Sequence, residues 1–354
     1  TDAFEAGVVE VARAKAVNEI PGALLEADPR DVEPWVAAAR EGIAQFLAVD
    51  RARLDSTPRK LPKGDWIYLR GGRQVADYAK DVLVETDWVQ DHLDDPSIRI
   101  VEVDENPALY AEAHIPGAIG FDWKADLQDQ VKRDFLGPED FGALFGSRGI
   151  SNDHTTVLYG DRNNWFAAYT YWYLKYYGHD DVKLVNGPRE KWVAEGRPTT
   201  SDVPSYEPAT FTARPGDHAI RAKREEVLAA LDNGKRLVDV RSPQEFSGEL
   251  IAMAGYEQEG AQRAGHIPGA KSVPWAQAVT ENGTFKSAAD LRELYTSKGV
   301  LAGEPIIAYC RIGERSAHTW FVLHELLGQD DVKNYDGSWT EWGNLVNVPI
   351  EKDV

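Results

Sequence analysis

A single cysteine occurs in this chain of 354 residues, Cys310, and it lies in the run Tyr309-Cys310-Arg311-Ile312-Gly313-Glu314-Arg315-Ser316. The apolar residues 306–309 before it read as a buried strand. Residues 316–327 carry Trp320, Leu323 and Leu327 at helical spacing, so the predicted order is strand, tight turn, helix. Cys310 then stands at the carboxyl end of a strand. A loop curling between such elements turns successive backbone N–H groups inward, and the positive end of the helix faces the same hollow, which favours a thiolate. A free thiol titrates near pH ~8.5, and a helix N-terminus with adjacent arginines lowers that by about 1 unit or more. Arg311 and Arg315 flank the cysteine and would favour the thiolate and bind an anionic substrate beside it. The plain alternative, a small buried hydrophobe, explains neither the arginines nor Gly313.

The elements that must position this loop belong to more than one domain, because a chain of this length exceeds what one core usually holds. From Asp81 onward, apolar segments at 82–84, 98–103 and 156–159 alternate with helical stretches at 86–93 and 165–177, which predicts a parallel sheet with helices on both faces. The pattern occurs twice. His266-Ile-Pro-Gly-Ala270 restates His114-Ile-Pro-Gly-Ala118, and Leu237-Val-Asp-Val240 restates Ile100-Val-Glu-Val103. Gly328, Gly337 and Trp342 each follow Gly178, Gly187 and Trp192 by 150 positions. The same offset sets Cys310 against Gly160, so the first copy keeps the frame without a nucleophile and is expected to wall one side of a cleft. The resulting division is an extension over 1–80, a non-catalytic domain over 81–200, a linker over 201–218 and a catalytic domain over 219–354.

Residues 1–54 read as helical, with Trp35, Val36, Ala39, Ile43, Phe46 and Leu47 on one face of a second helix that starts near Pro34. Residues 51–80 read as a basic, loop-rich connector packed on an acidic body. Residues 1 to about 75 are expected to be dispensable for chemistry. A net charge of −19 argues against nucleic acid as a partner of the whole chain. No apolar run approaches the ~20 residues of a membrane span. One cysteine permits no internal disulfide, which fits the cytoplasm. The first residue is Thr1, which leaves room for a removed targeting segment.

The loop Cys310-Arg-Ile-Gly-Glu-Arg315, the duplicated His-Ile-Pro-Gly-Ala, Asp239-Val-Arg-Ser-Pro-Gln-Glu-Phe-Ser-Gly248 and Gly337-Ser-Trp-Thr-Glu-Trp342 together resemble a tandem-domain rhodanese, a thiosulfate sulfurtransferase. The similarity is closest to bacterial and archaeal members with a Cys-Arg-x-Gly-x-Arg loop. It implies an α/β fold of two tandem rhodanese-like domains, each a parallel sheet flanked by helices, with a mainly helical N-terminal extension. It also implies a double displacement through a persulfide on Cys310, using no metal or organic cofactor. Thiosulfate would be the donor, and cyanide, a thiol or a protein the acceptor. By position, Arg315 and then Arg311 would bind substrate, and the backbone of Arg311, Ile312, Gly313, Glu314 and Arg315 would hold the persulfide's charge. One departure stands out. Mammalian thiosulfate enzymes carry an arginine where this chain has Glu245, so Arg241 is a candidate to compensate.

Three other chemistries are weighed against thiosulfate sulfurtransfer. Mercaptopyruvate-preferring relatives carry a nearly uncharged loop, whereas two arginines and one glutamate here favour a dianion. Phosphatases and arsenate reductases of related fold space Cys and Arg by five residues, and the four residues here make a ring suited to sulfur. A persulfide carrier serving one docked protein is the third. His318 and His324 lack partners at metal spacing and read as packing or surface residues. Asp161-Arg-Asn-Asn164 reads equally as a cleft wall or a plain loop. Trp339 and Trp342 read as packing for the C-terminal turn, with Trp339 also a candidate pocket wall.

Overall fold

The computed structural model describes residues 78–256 and 260–353. The extension over 1–77, with its expected helices and apolar stripe, lies outside the described residues. Among the described residues, ten short strands form two parallel sheets: β1 (Leu83–Val84), β2 (Ile98–Glu102), β3 (Ile119–Gly120), β4 (Thr155–Tyr159) and β5 (Val182–Val185), then β6 (Arg221–Ala222), β7 (Arg236–Asp239), β8 (Lys271–Ser272), β9 (Ile306–Tyr309) and β10 (Val332–Tyr335). Their orders are β1-β5-β4-β2-β3 and β6-β10-β9-β7-β8. Each strand of the first sheet has its counterpart in the second, as the repeat requires.

Helices cover both faces because the central strands are apolar on both. All four residues of β9 are buried, and parallel sheets with such strands need cover on each side. The helix Trp165–Tyr176 follows β4, and eleven of its residues are buried, among them Trp172 and Tyr171. The helix Glu314–Trp320 follows β9 and is buried throughout. A helix hidden on all sides must lie between two bodies. The first helix meets the second domain: Tyr171 packs edge-on against Phe321, just past the second helix, with ring centroids 4.8 Å apart, and the Trp172 indole donates to the Ile220 carbonyl at 3.2 Å. One apolar cluster therefore runs through both domains.

The predicted helix over 316–327 differs in one respect. The α-helix ends at Trp320 and continues as a π-helical turn, Phe321–Leu326, with the Leu327 amide reaching the Val322 carbonyl at 2.9 Å. Apolar spacing does not distinguish that wider turn from an α-helical one.

Candidate active site

Cys310 directly follows β9 and is fully buried. Gly313 makes the turn that carries the chain from sulfur to helix. Its φ of 103° lies in the left-handed region, and an added Cβ would stand 2.5 Å from Asp336 Oδ1. Both facts demand glycine. The opposite wall is Ser338 with its neighbours: the Cys310 amide donates to Ser338 Oγ at 3.0 Å, and the Trp339 amide donates to the Cys310 carbonyl at 3.0 Å.

The cradle is narrower than the sequence suggests. Gly313 N–H points at Cys310 Sγ, 3.2 Å away, and Ser316 Oγ lies 3.4 Å from the sulfur while donating to Asn334 Oδ1 at 2.6 Å. The Ile312 amide is turned aside to Glu314 Oε2 at 3.1 Å. Glu314 itself is folded into the loop, and the thiol donates to its Oε2 at 3.0 Å. Burial raises the thiol's pKa, and the Glu314 carboxylate raises it further against the pull of Arg315. The expected lowering of the thiol's pKa is thus corrected: in this geometry burial and Glu314 act the other way. Burial opposes ionisation of Glu314 too, but Arg311 and Arg315 outweigh it and bring its pKa down to about 2.

The two arginines are brought to the loop, each with a carboxylate. Arg311 reaches Glu314 Oε1 through Nε at 3.2 Å and Nη2 at 3.1 Å, and its guanidinium lies 4.1 Å from the centre of the Tyr256 ring. The Tyr256 hydroxyl donates to Glu105 of the first domain. Arg315 forms a two-pronged pair with Glu245, at 2.9 and 3.2 Å, and both are buried. Burial alone would raise the Glu245 pKa, yet Arg315 lowers it. The departure at position 245 thereby acquires a physical role as the counter-charge of Arg315. Arg241 is not available to compensate in the way expected. It pairs with Asp239 at 2.6 Å, donates to the Gly265 carbonyl at 2.7 Å and stacks 4.3 Å from the Trp339 ring centre.

The first domain does reach the loop, through residues that sequence reasoning missed. The Tyr169 hydroxyl lies 3.2 Å from the Ile312 carbonyl and 2.5 Å from Asp336 Oδ1. Asp336 also accepts from Arg221 at 2.8 Å. Glu245, by contrast, had a local signal: Ser242-Pro-Gln-Glu245 is a capping box, in which Ser242 Oγ accepts from the Glu245 amide at 3.2 Å and the carboxylate accepts from the Ser242 amide at 3.0 Å.

The remaining candidates fall outside the loop. His318 is buried between Phe285 and Trp275, with ring centroids 5.0 and 5.1 Å away, and burial lowers its pKa to about 3. His324 pairs with Glu325 at 2.7 Å. Asp161 turns back to accept from the Glu105 and Asn106 amides at 2.7 and 3.3 Å. Trp339 and Trp342 are buried, and the Trp342 indole donates to the Pro349 carbonyl at 3.0 Å.

A buried cysteine enclosed by a short loop between a parallel strand and a helix, in the second of two matching domains, has a counterpart among known families. The model of the rhodanese-like domain matches residues 85–195 and again 223–345. The chain belongs to the rhodanese family, and it is a sulfurtransferase. A Haloferax volcanii protein named "Putative thiosulfate sulfurtransferase" is 58% identical over 282 residues, covering 78% of this chain and 98% of that protein. The sulfur carrier protein TtuD of Thermus thermophilus is 59% identical over 276 residues, covering 77% and 97%. Among solved structures, the anaerobic ergothioneine biosynthesis enzyme of Chlorobium limicola, in complex with its natural substrate trimethyl histidine, shares the fold with a TM-score of 0.67 at 25% identity, covering 77% of this chain and 70% of that one. Among the described residues of this rhodanese, no helix is long and apolar enough to cross a membrane.

Proposed function

We propose that this rhodanese is a cytoplasmic enzyme that takes the outer sulfur of thiosulfate onto Cys310 and passes it to cyanide or a thiol. The observation that carries the reading is the position of the Cys310 sulfur, 3.2 Å from the Gly313 amide inside the loop. In the first step the thiol gives up its proton and the sulfur attacks the outer sulfur of thiosulfate. The sulfur–sulfur bond of thiosulfate breaks, its electron pair leaves on sulfite, and the released proton goes to solvent or sulfite. The persulfide is anionic near neutral pH, so the Gly313 N–H is suited to hold its charge. An acceptor then attacks the terminal sulfur and the electron pair of the broken bond returns to Cys310.

A second reading is a persulfide carrier that receives sulfur from one protein and delivers it to another. It draws support from the pairing of Arg311 with Glu314 and of Arg315 with Glu245, since arginines so neutralised attract a small dianion less than bare ones. It also fits the name of the Thermus thermophilus relative. Steady-state kinetics separate the two. Thiosulfate:cyanide turnover that saturates with thiosulfate and vanishes in Cys310→Ser supports the enzyme. Slow turnover of small donors, beside rapid exchange with a protein persulfide, supports the carrier and overturns the first reading.

A further inference from the structure

The amide that faces the reacting sulfur is one end of the peptide plane between Ile312 and Gly313, and a trans peptide points its N–H and its C=O to opposite sides. Whatever grips the Ile312 carbonyl therefore aims the Gly313 N–H. The sulfur lies 3.2 Å from the Gly313 amide, and at the other end of the plane the Tyr169 hydroxyl lies 3.2 Å from the Ile312 carbonyl. Tyr169 belongs to the helix Trp165–Tyr176 of the first domain and is buried. Its hydroxyl is seated by Asp336, whose Oδ1 is 2.5 Å away, so one proton serves two acceptors. Asp336 is held in turn by Arg221 at 2.8 Å. The next peptide is fixed within the second domain, where the Gly313 carbonyl accepts from Asn334 Nδ2 at 3.0 Å and from the Ala317 amide at 2.9 Å. The Ile312–Gly313 plane needs a hold of its own because glycine, having no Cβ, tolerates φ of either sign. Turned over, the plane would set the Ile312 carbonyl oxygen toward the sulfur and oppose negative charge there.

We propose that Tyr169 is a positioning residue for sulfurtransfer: its hydroxyl, delivered by the domain that has no nucleophile, holds the Ile312 carbonyl so that the Gly313 N–H stays aimed at the Cys310 sulfur. The assignment rests on the persulfide reading above. Each half of that transfer places negative charge on sulfur at this spot, first on the Cys310 sulfur that attacks thiosulfate, then on the persulfide and on the Cys310 sulfur that it releases. An amide aimed beforehand stabilises such charge without reorganising during the reaction. The first domain thus takes part in the chemistry through one hydroxyl, besides walling the loop.

Tyr169→Phe in the full chain removes the hydroxyl and keeps the ring, and two readouts separate aiming from packing. The first is the pH profile of alkylation by iodoacetamide, which in a protein with one cysteine reports Cys310 alone. Loss of the aimed amide should raise the midpoint by about one unit, a tenfold slower reaction at pH 7. Beside the sulfur, Glu314, Arg311 and Arg315 stay in place. Around the hydroxyl, so do Asp336, Tyr173, Arg221, Arg133 and Asp134. An Asp336 that gained a proton on losing its donor would act in the opposite sense, by removing negative charge. A looser fold would change the height of the profile and leave its midpoint unmoved, and that result overturns the proposal. The second readout is single-turnover persulfide formation followed by mass. Its rate constant at saturating thiosulfate should fall about tenfold or more, while the half-saturating concentration stays within about twofold. Tyr169→para-aminophenylalanine, which restores a donor, should recover most of both losses, and a variant as impaired as Tyr169→Phe overturns the proposal. If the unsubstituted protein gains no sulfur from thiosulfate, the persulfide reading fails separately, and the alkylation midpoint still decides whether Tyr169 aims the amide.

Discussion

Gly160 and Cys310 occupy the same place at the ends of β4 and β9, and the polar chemistry around them has diverged. In the loop 310–315 of the second domain, left-handed backbone occurs at Gly313, whose amide points at the sulfur. In the first domain three residues in succession, Arg162, Asn163 and Asn164, have φ of 45°, 61° and 63°. The Asn164 side chain fills the hollow, accepting from the Gly160 amide at 2.8 Å and donating to the Val185 and Gly187 carbonyls at 2.8 and 3.0 Å. Asn164 is the counterpart of Glu314. The charges at the strand ends differ as well. Asp239 pairs with Arg241 in the second domain. Their counterparts are Glu102, which pairs with Arg189 at 3.4 Å, and Asp104. Burial raises the pKa of Glu102, takes that of Asp104 to about 9 with the help of Glu102 beside it, and brings Asp161 to about 6. A common frame therefore sets where a loop sits, and side chains within four residues of its first position set whether it can react.

The largest expected effects come from exchanging the two key positions. Cys310→Ser should lower sulfurtransfer to about a hundredth or less, because an alcohol neither ionises near neutral pH nor forms a persulfide. Gly160→Cys should create no second site and should destabilise the fold, since a Cβ there would stand 2.1 Å from the Val103 carbonyl oxygen. Persulfide on the cysteine introduced at position 160 would break the comparison.

A smaller effect tests the buried pair that the first domain lacks, where Trp165 is the counterpart of Arg315. Arg315→Ala should cost about 3–5 kcal/mol of stability by leaving the Glu245 carboxylate buried and unpaired. Adding Glu245→Gln should recover much of that loss in urea unfolding. If the single variant unfolds at the same urea concentration as the parent, the pair contributes nothing to the fold, and any loss of sulfurtransfer in that variant is assigned to substrate binding.

Glu314→Gln sharpens the contrast with Asn164 by giving the catalytic loop a neutral amide. Burial is the main cause of the raised thiol pKa and Glu314 the next, so removing the carboxylate should lower the pKa without returning it to that of a free thiol. Iodoacetamide should then alkylate Cys310 about tenfold faster at pH 7, corresponding to a shift of about one unit, and the acid limb of the rate profile should move to lower pH. An unchanged profile would assign the shift to burial alone.

The smallest effect concerns His318. Its folded pKa is depressed to about 3, below the ordinary ~6.5. The unfolded chain therefore binds more protons between those values, and stability falls as pH drops from about 6.5 toward 3. His318→Phe should flatten the dependence of Tm on pH across that window. A variant whose Tm falls as steeply as the parent's would move the acid sensitivity to another group.

The frame was legible in the sequence because its signals are local and come twice: the paired His-Ile-Pro-Gly-Ala runs, the apolar strand at 306–309 and the offset that joins Gly160 to Cys310. The strand, tight turn and helix around Cys310 were legible because their signals are local. The partners of the arginines were not. Arg315 meets Glu245 from 70 residues away, and no periodicity relates them. The direction of the thiol's pKa was also hidden, because neighbouring arginines in the sequence suggest a field that depends on where Glu314 folds. Tyr169 and Asp336, which join the domains behind Ile312, stand 167 residues apart and carry no motif.

The most direct measurement is the intact and peptide mass of the full chain after treatment with thiosulfate. Expected is the gain of one sulfur, mapped to the peptide containing Cys310, removed by cyanide and absent from Cys310→Ser. No added sulfur on Cys310, or an addition that persists through cyanide, would contradict a persulfide at this site.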